Sequence, residues 1–409
     1  YLERRFGYGF KLISSLSFIG FHVIRIAIVL FLPALAIQAV MPGSSTVLIV
    51  ILTGLICVGY TTIAGIEGVA WSDAFQSVVL MIGALIIMFV GFQYIPEQGL
   101  FAALSEQGKG FTAKNFELSL SGDSFWSVVI GHGIIGSIYG YIGSQDILQR
   151  YKITATLKEA RKSIYYNIPL LAISVVIFVG MGAALVVFFN YSPYALNLDA
   201  LGGNNNALLP YFVVNYLPMG ISGLVIVGIL AAAQSTVSSS INAVATCLTN
   251  DIMYGTKAGK LVDDAKKLSF ARYASMVVGM IGTFLAYWFI VNGQGDAFKM
   301  FAAVTGLVGG PIAAIFILGF FAKRVGANAA WIGLAVSLFI AFYISNPFGL
   351  PYTKPDVNAF LVAPIVLLSG IIPALIASFF FKAPTHAEID GLTYATAMDK
   401  PEVIIGAKK

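Results

Sequence analysis

The sequence predicts an all-α polytopic membrane protein, and three observations carry that prediction. Of the 409 residues, 58% are hydrophobic and only 11% are charged, whereas soluble domains usually contain about 25% charged residues. The mean hydropathy of the chain is +0.87. Apolar runs of about 20 residues, the length that crosses a bilayer as a helix, recur along the whole chain. A lipid bilayer is therefore its expected surroundings.

Ten such runs are candidate membrane spans. They lie near residues 12–40, 45–64, 69–94, 124–147, 164–190, 210–250, 270–291, 298–321, 327–346 and 358–381. The sixth run is too long for one straight helix, and Pro218 and Gly220 within it predict a short outer helix followed by a span from about Ile221. We expect a transmembrane domain over 1–382 and a cytoplasmic tail over 383–409.

Basic residues alternate between the loops in a way that orients the bundle. The larger set, on one side, is Arg4, Arg5, Lys11, Arg150, Lys152, Lys158, Arg161, Lys162, Lys257, Lys260, Lys266, Lys267, Arg272, Lys323, Arg324 and Lys382. The smaller set is Lys109, Lys114, Lys299 and Lys354. Because loops rich in Lys and Arg stay in the cytoplasm, both ends of the chain are expected there. The basic residues form no single patch, so the net charge of +5 does not indicate a nucleic-acid partner.

Glycine and proline interrupt several spans, and two interpretations are open. The fourth span contains Gly131, Gly133, Gly136, Gly140 and Gly143, the eighth contains TGLVGGP at 305–311, and Pro33 interrupts the first. Close helix packing through small residues is one explanation. The other is a set of discontinuous helices that expose backbone groups to a central site, as in secondary transporters.

The segment AAAQSTVSSSINA, residues 231–243, places hydroxyl side chains inside an apolar span. They are Ser235, Thr236, Ser238, Ser239 and Ser240. Hydrocarbon has no water to satisfy hydroxyl groups, so they need partners within the protein or hold a ligand. On a helix, positions 232, 235, 236 and 239 share one face. Uncharged oxygen ligands suit an alkali or alkaline-earth cation. Because the ligands carry no charge, they favour whichever of these two cations binds more weakly.

Two charged residues lie where the membrane makes charge costly. Arg25 is either a buried arginine satisfied by carbonyls or a carboxylate, or a guanidinium that binds a carboxylate substrate. Asp73 needs a counter-ion, which is Arg25, a cation at the cytoplasmic end, or a metal ion shared with the serines. The segment 144–146, Ser-Gln-Asp, ends the fourth span either as a helix cap or as a polar gate or substrate contact.

No catalytic pattern accompanies these residues. The histidines His22, His132 and His386 lie apart from any nucleophile and acid in the sequence, and there is no Walker motif. Both cysteines lie in apolar runs and provide neither a disulfide framework nor a zinc site. We therefore expect no enzyme activity, and an ion gradient as the energy source.

Four segments resemble the sodium/solute symporter family: YLERRFGYGF, GIEGVAWSDAFQ, GSQDILQRY and AAAQSTVSSSINAVATCLTNDIMY. Within that family they most resemble the bacterial sodium-coupled sialic acid transporters. The resemblance implies a leucine-transporter-like five-plus-five inverted repeat, a chain that begins at the third core helix, and a location in the bacterial inner membrane. It implies import of sialic acid (N-acetylneuraminate) by Na⁺ symport. The alternatives are a neutral sugar, another carboxylate or an amino acid as the solute, a membrane sensor module, and an ion channel.

The resemblance also implies site residues. The substrate carboxylate is expected to bind Arg25, with Ser144 and Gln145 as further substrate contacts. The first sodium site is expected to use Ala232 through its backbone carbonyl, Ser235 and Thr236. The second is expected to use Asp73, Ser235, Ser238 and Ser239. Sugar carriers of the family often lack the hydroxyl at position 238, so its presence favours the sialic acid branch.

Overall fold

Every regular element that the computed structural model describes is helical. The structure describes residues 1–40, 43–110, 112–117, 119–120, 124–138, 141, 144–152, 154, 156–193, 208–255, 259–292, 301, 304–346, 351–353 and 355–398. The α-helices are α1 (Leu2–Phe6), α2 (Tyr8–Val40), α3 (Thr46–Phe92), α4 (Leu100–Glu106), α5 (Gln145–Lys152), α6 (Leu157–Tyr191), α7 (Leu208–Tyr216), α8 (Ile221–Cys247), α9 (Asp264–Val291), α10 (Gly310–Phe321), α11 (Ala327–Ser345), α12 (Ala359–Ala377), α13 (His386–Ile389) and α14 (Tyr394–Met398). Short 3₁₀ segments are Ala113–Phe116 and Gly259–Leu261, and π-helical segments are Ser127–Gly136, Leu248–Met253 and Thr305–Gly309. The predicted all-α class is confirmed.

Among the described residues, eight helices are long and apolar enough to cross a membrane. They are Tyr8–Phe31, Thr46–Ile63, Gly65–Phe92, Lys158–Tyr191, Ile221–Met253, Asp264–Val291, Ala327–Ser345 and Ala359–Ala377. These match eight of the ten predicted spans. A ninth, predicted over 298–321, is the shorter apolar helix Thr305–Phe321.

The remaining predicted span, the fourth along the chain at 124–147, is wrong as one continuous helix. Its described part is π-helical over Ser127–Gly136, and α5 begins at Gln145, where the span was expected to end. Ser144 and Asp146 start this helix: the Ser144 carbonyl accepts from Leu148 N, and the Asp146 carboxylate accepts from Ile147 N. The residues expected to cap a helix end therefore cap a helix beginning. Two of its glycines, 140 and 143, lie outside the described residues.

Glycine permits two breaks that position the site. In α3, Gly65 has φ 61° and ψ −160°, which separates two spans within one long helix. Gly220, with φ 91°, precedes α8 and separates it from α7, as the sequence predicted. The predicted interruption at Pro33 is wrong, because α2 continues through it. Neighbouring helices can satisfy the backbone group that a proline frees within a membrane.

Helices α2, α3, α8 and α9 pack around a shared apolar core. Its fully buried members include Ile26, Val50 and Ile241. Small residues bring the helices into close contact, since a Cβ built on Gly279 would lie 2.2 Å from Val58 Cγ2. This packing holds the hydroxyl-bearing helix α8 against α3.

A buried arginine attaches the start of the chain to the end of α10. Arg5 donates hydrogen bonds to the carbonyl oxygens of Gly319, Ala322 and Val325. The Tyr1 hydroxyl donates to the carbonyl of Leu392 at 2.9 Å, between α13 and α14. The described part of the predicted tail, 383–398, therefore packs beside α1, and residues 399–409 lie outside the described residues.

Candidate functional site

Helix α8 presents the hydroxyl groups at its contact with α3. Ser238 and Ser239 are buried, whereas Ser235 and Thr236 are half-buried. The Thr236 hydroxyl donates to the Ala232 carbonyl at 3.3 Å, and the Ser238 hydroxyl donates to the Ser235 carbonyl at 3.1 Å. These bonds use the hydroxyl protons within the helix, so each hydroxyl oxygen keeps lone pairs for a second partner.

Asp73, in the second half of α3, faces these hydroxyls. The Ser239 hydroxyl donates to Asp73 Oδ2 at 3.4 Å, and the Ser235 side chain lies beside the same carboxylate. Asp73 Oδ1 is buried and has no donor in hydrogen-bonding geometry among the described residues, and the same holds for Oε1 of Gln76 one turn further on. A buried carboxylate oxygen needs compensation for its lost hydration. Such an oxygen, beside neutral hydroxyls, suits a cation.

The counter-ion of Asp73 in the structure is Arg150 from α5. Arg150 Nη2 lies 2.6 Å from Asp73 Oδ2 and also donates to Ser239 Oγ at 2.7 Å. Of the three partners considered from the sequence, the structure shows a cation from the cytoplasmic set. Arg25, the other protein cation considered, pairs elsewhere.

Arg25, on α2, pairs with the first turn of α5. Its Nη1 lies 3.1 Å from Asp146 Oδ2, and the Ser144 hydroxyl donates to Asp146 Oδ1. The Asp146 side chain is 11% exposed and the Arg25 side chain 26%. The structure thus supplies the carboxylate partner that one interpretation of Arg25 required. Gln145, at the start of α5, is half-buried.

His22 lies behind the hydroxyl face of α8 and is packed between aromatic side chains. Its ring is fully buried next to Phe18 and Phe21, with centroid distances of 4.1 and 5.2 Å. His22 Nδ1 lies 3.1 Å from Ser240 Oγ. Ser240 therefore binds α2 and is directed away from the cluster around Asp73.

The predicted residues form two neighbouring groups joined by α5. The first group contains Ala232, Ser235, Thr236, Ser238 and Ser239 on α8, together with Asp73 on α3, to which Ser239 donates. The second contains Arg25 and Ser144, which meet at Asp146. Each group has one charged partner on α5.

The sequence does not single out Arg150 as a site residue, because many other basic residues lie on the cytoplasmic side. A signal was present, since residues 146, 149 and 150 are polar and recur at the three- and four-residue steps that align one helix face. Gln149 belongs to the same face, and its Oε1 accepts from Asn242 Nδ2 at 3.4 Å. Had a helix been predicted to start directly after Ser144, residues 146, 149 and 150 would have aligned on one of its faces.

Comparison with known proteins identifies the family of this chain. The model of the family described as Sodium:solute symporter family matches residues 1–337. The chain belongs to the sodium:solute symporter family. Members of this family are transporters, so the eight apolar helices are those of a multi-pass membrane protein.

Two relatives of this symporter are named for the same solute. The sodium/sialic acid symporter NanT of Aliivibrio fischeri is 33% identical over 397 residues, which cover 96% of this chain and 76% of the relative. The sodium/sialic acid symporter SiaT of Proteus mirabilis is 32% identical over 393 residues, which cover 95% and 76%.

A solved structure shares the fold of this symporter. It is described as the substrate-bound outward-open state of a Na⁺-coupled sialic acid symporter that reveals a novel Na⁺ site. It is 31% identical to this chain, has a TM-score of 0.81, and the match covers 94% of this chain and 77% of that chain. The leucine-transporter-like fold that the resemblance implied is confirmed.

Proposed function

We propose that this symporter imports sialic acid together with Na⁺ by alternating access, in the inner membrane of a bacterium. The observation that carries the proposal is the hydroxyl face of α8 closed by the carboxylate of Asp73. Further support comes from two sodium/sialic acid symporters, to which this chain is 33% and 32% identical. A neutral hydroxyl face alone would fit many polar ligands, but a dehydrated carboxylate beside it favours a cation.

The first proposed sodium site uses the Ala232 carbonyl, Ser235 and Thr236. The Ala232 carbonyl oxygen and the Thr236 hydroxyl oxygen lie 3.3 Å apart. Adjacent ligands have that separation when each lies about 2.4 Å from one ion, a distance typical of oxygen-bound cations of this size. Because these ligands carry no charge, they would release Na⁺ into a cytoplasm that is poor in sodium.

The second proposed site uses Asp73 with Ser235, Ser238 and Ser239. The carboxylate would hold Na⁺ more firmly than the neutral ligands do. Asp73 Oδ1, buried and without a donor among the described residues, is the oxygen with the most to gain from a bound cation. Ser235 is shared between the two sites, so the ions would bind close together.

The proposed substrate carboxylate binds Arg25, with Ser144 and Gln145 beside it. A guanidinium binds a carboxylate through two parallel hydrogen bonds, which lysine cannot make. Arg25 already holds one carboxylate, that of Asp146, at 3.1 Å. A group that binds an internal carboxylate in this way has the chemistry to bind that of a sugar acid.

The proposed orientation places both ends of the chain in the cytoplasm. Basic residues are concentrated in the loops on that side, which include the segment after α5 and the segment between α8 and α9. We assign 1–382 to the membrane domain and 383–409 to a cytoplasmic tail.

Transport into proteoliposomes tests the proposal directly. Uptake of labelled sialic acid is expected to require an inward Na⁺ gradient, and Ser235→Ala is expected to lower it at least tenfold because both sodium sites lose a ligand. Thr246→Ala is the matched control, since the Thr246 hydroxyl donates to the Asn242 carbonyl within the same helix. It is expected to keep uptake within about twofold of the unmodified protein. Undiminished uptake when K⁺ replaces Na⁺ would refute sodium coupling.

The same vesicles distinguish the alternative solutes. Excess unlabelled sialic acid is expected to abolish uptake of the labelled acid, whereas its methyl ester, which lacks the negative charge, is expected to compete poorly. Strong competition by the ester or by neutral hexoses would favour a neutral sugar and would remove the proposed role of Arg25.

A further inference from the structure

Helix α5 carries opposite charges one turn apart, and both are engaged with other helices. It has eight residues, QDILQRYK, and its Asp146 and Arg150 are four positions apart. Asp146 pairs with Arg25 on α2 at 3.1 Å, and Arg150 pairs with Asp73 on α3 at 2.6 Å. Between them, Gln149 accepts a hydrogen bond from Asn242 on α8. One short helix thus holds three long helices through one polar face.

The partners of these two charges are the groups that the proposed function assigns to the ligands. Arg25 is the proposed site of the substrate carboxylate, and here it binds a protein carboxylate. Asp73 and Ser239 are proposed ligands of the second Na⁺, and here a protein cation binds both, with Arg150 Nη2 lying 2.7 Å from Ser239 Oγ. Asp146 thus brings to Arg25 the same charge as a sugar-acid carboxylate, and Arg150 brings to Asp73 the same charge as Na⁺.

We propose that α5 is an internal substitute for the two ligands, and that displacement of its charges couples Na⁺ binding to binding of the acidic solute. This inference depends on the proposed function, because it concerns the same groups. Na⁺ displaces Arg150 from Asp73, and the carboxylate of the solute displaces Asp146 from Arg25. The Arg150 side chain is 44% exposed, so the surrounding protein leaves it room to move when displaced.

Charge balance makes this exchange cooperative. The network contains two positive and two negative side chains, and each is paired with a side chain of opposite charge. Na⁺ alone leaves Arg150 without its partner, and the solute alone leaves Asp146 without its partner. When both ligands bind, Asp146 and Arg150 can pair with each other, because an acidic residue four positions before a basic one is the favourable order on a helix. Each ligand therefore strengthens binding of the other, and the effect is reciprocal.

Calorimetry on the purified full chain measures this coupling. The dissociation constant of sialic acid is determined in Na⁺ and again with Na⁺ replaced by N-methylglucamine, and the ratio of the two values is the coupling factor. Coupling between two sites is typically about 5–150-fold, and the unmodified chain is expected to fall in that range. Asp146→Asn is expected to tighten sodium-free binding, because the internal competitor for Arg25 is gone. In both Asp146→Asn and Arg150→Gln the coupling factor is expected to fall towards one.

Matched variants separate charge exchange from general damage. Asp146→Glu and Arg150→Lys keep the charges and are expected to keep most of the coupling factor. Asp264→Asn removes an exposed carboxylate that pairs with Lys267 three residues on in α9, and it is expected to leave the factor unchanged. Thermal unfolding of each variant confirms that it is folded during the measurement.

A reporter on the otherwise native chain covers the case in which the Asn and Gln variants do not fold. Leu148→Cys places a fluorophore on an exposed position of α5, while the native Cys57 and Cys247 are buried. The fluorescence change with both ligands is expected to exceed the sum of the changes with each ligand alone.

The outcomes distinguish this inference from the proposed function. A coupling factor that stays at its original value in folded Asp146→Asn and Arg150→Gln, or an additive response at position 148, would overturn the role of α5 and leave sodium-coupled sialic acid transport intact. If the unmodified chain binds no sialic acid in Na⁺, the proposed solute is refuted, and the anionic half of this inference with it.

Discussion

Single residues set how closely the helices around the site can approach. A Cβ at Gly54 would lie 2.2 Å from Thr283 Oγ1 and 2.7 Å from Thr283 Cγ2, far inside van der Waals contact. We expect Gly54→Ala to lower the free energy of unfolding by about 1–3 kcal/mol, because α3 and α9 must separate to accommodate the methyl group.

Gly59→Ala, on the same helix, is the control for this prediction. Nothing lies within 4 Å of a Cβ at Gly59, so the substitution is expected to be neutral or to stabilise by up to about 1 kcal/mol through helix propensity. Thermal unfolding of the detergent-solubilised variants measures both effects. Equal shifts for the two variants would show that the α3–α9 contact tolerates a methyl group.

For single residues, the sequence predicts which side chains share one face of a helix. It does not predict which side chains from distant segments the fold brings together. The period aligned Ala232, Ser235 and Thr236 from the sequence alone. The pair of Asp73 with Arg150 spans 77 residues, and many basic residues on the cytoplasmic side could have served equally well. The roles of Arg25, Ser144 and Gln145 towards the substrate stay predictions, although the structure shows that Arg25 binds a carboxylate.

Among whole elements, α1 is attached to the end of α10 by a buried arginine, Arg5. Arg5 donates to three carbonyl oxygens at the end of α10 and the turn that follows it, with two of the distances at 2.9 Å. Arg5→Ala is expected to lower the free energy of unfolding by about 1–3 kcal/mol, because buried carbonyl groups lose their donors. Arg4→Ala removes the same charge from an exposed neighbour and is expected to change it by less than about 0.5 kcal/mol. Thermal unfolding distinguishes the two, and a smaller shift for Arg5→Ala than for Arg4→Ala would contradict the attachment.

Element boundaries could be predicted where proline or glycine forces a break and were mistaken where capping residues allow two readings. Pro218 and Gly220 correctly separated α7 from α8. Ser144 and Asp146 are typical of a helix beginning, yet because they follow an apolar run the sequence predicts a helix end there. The two glycine-rich segments are π-helical over Ser127–Gly136 and Thr305–Gly309. Close packing through small residues is present here too, since a Cβ at Gly306 would lie 2.8 Å from Val362 Cγ1. Both interpretations of the glycines therefore stay open.

For the whole molecule, the bilayer itself made most of the spans predictable. Backbone polar groups in hydrocarbon find no water, so most of them are satisfied within helices, and spans of about 20 apolar residues stand out in the sequence. The packing order of the helices has no such local signal, because lipid and protein are equally apolar neighbours for a side chain. The sequence therefore predicted the number and length of most helices, while the contacts of α5 with α2, α3 and α8 required the structure.

The orientation of the bundle can be tested with a matched pair of leucines. Leu120 is 70% exposed in the segment before the fourth predicted span, and Leu261 is 89% exposed in the segment between α8 and α9. The distribution of Lys and Arg predicts that the first segment faces the outside and the second the cytoplasm. In spheroplasts, a membrane-impermeant maleimide is expected to label Leu120→Cys at once and Leu261→Cys only after lysis. The native Cys57 and Cys247 are 0% and 6% exposed, so the unmodified chain is expected to give little background. The reverse labelling pattern would place both ends of the chain outside the cell. It would then contradict the proposed orientation of the bundle.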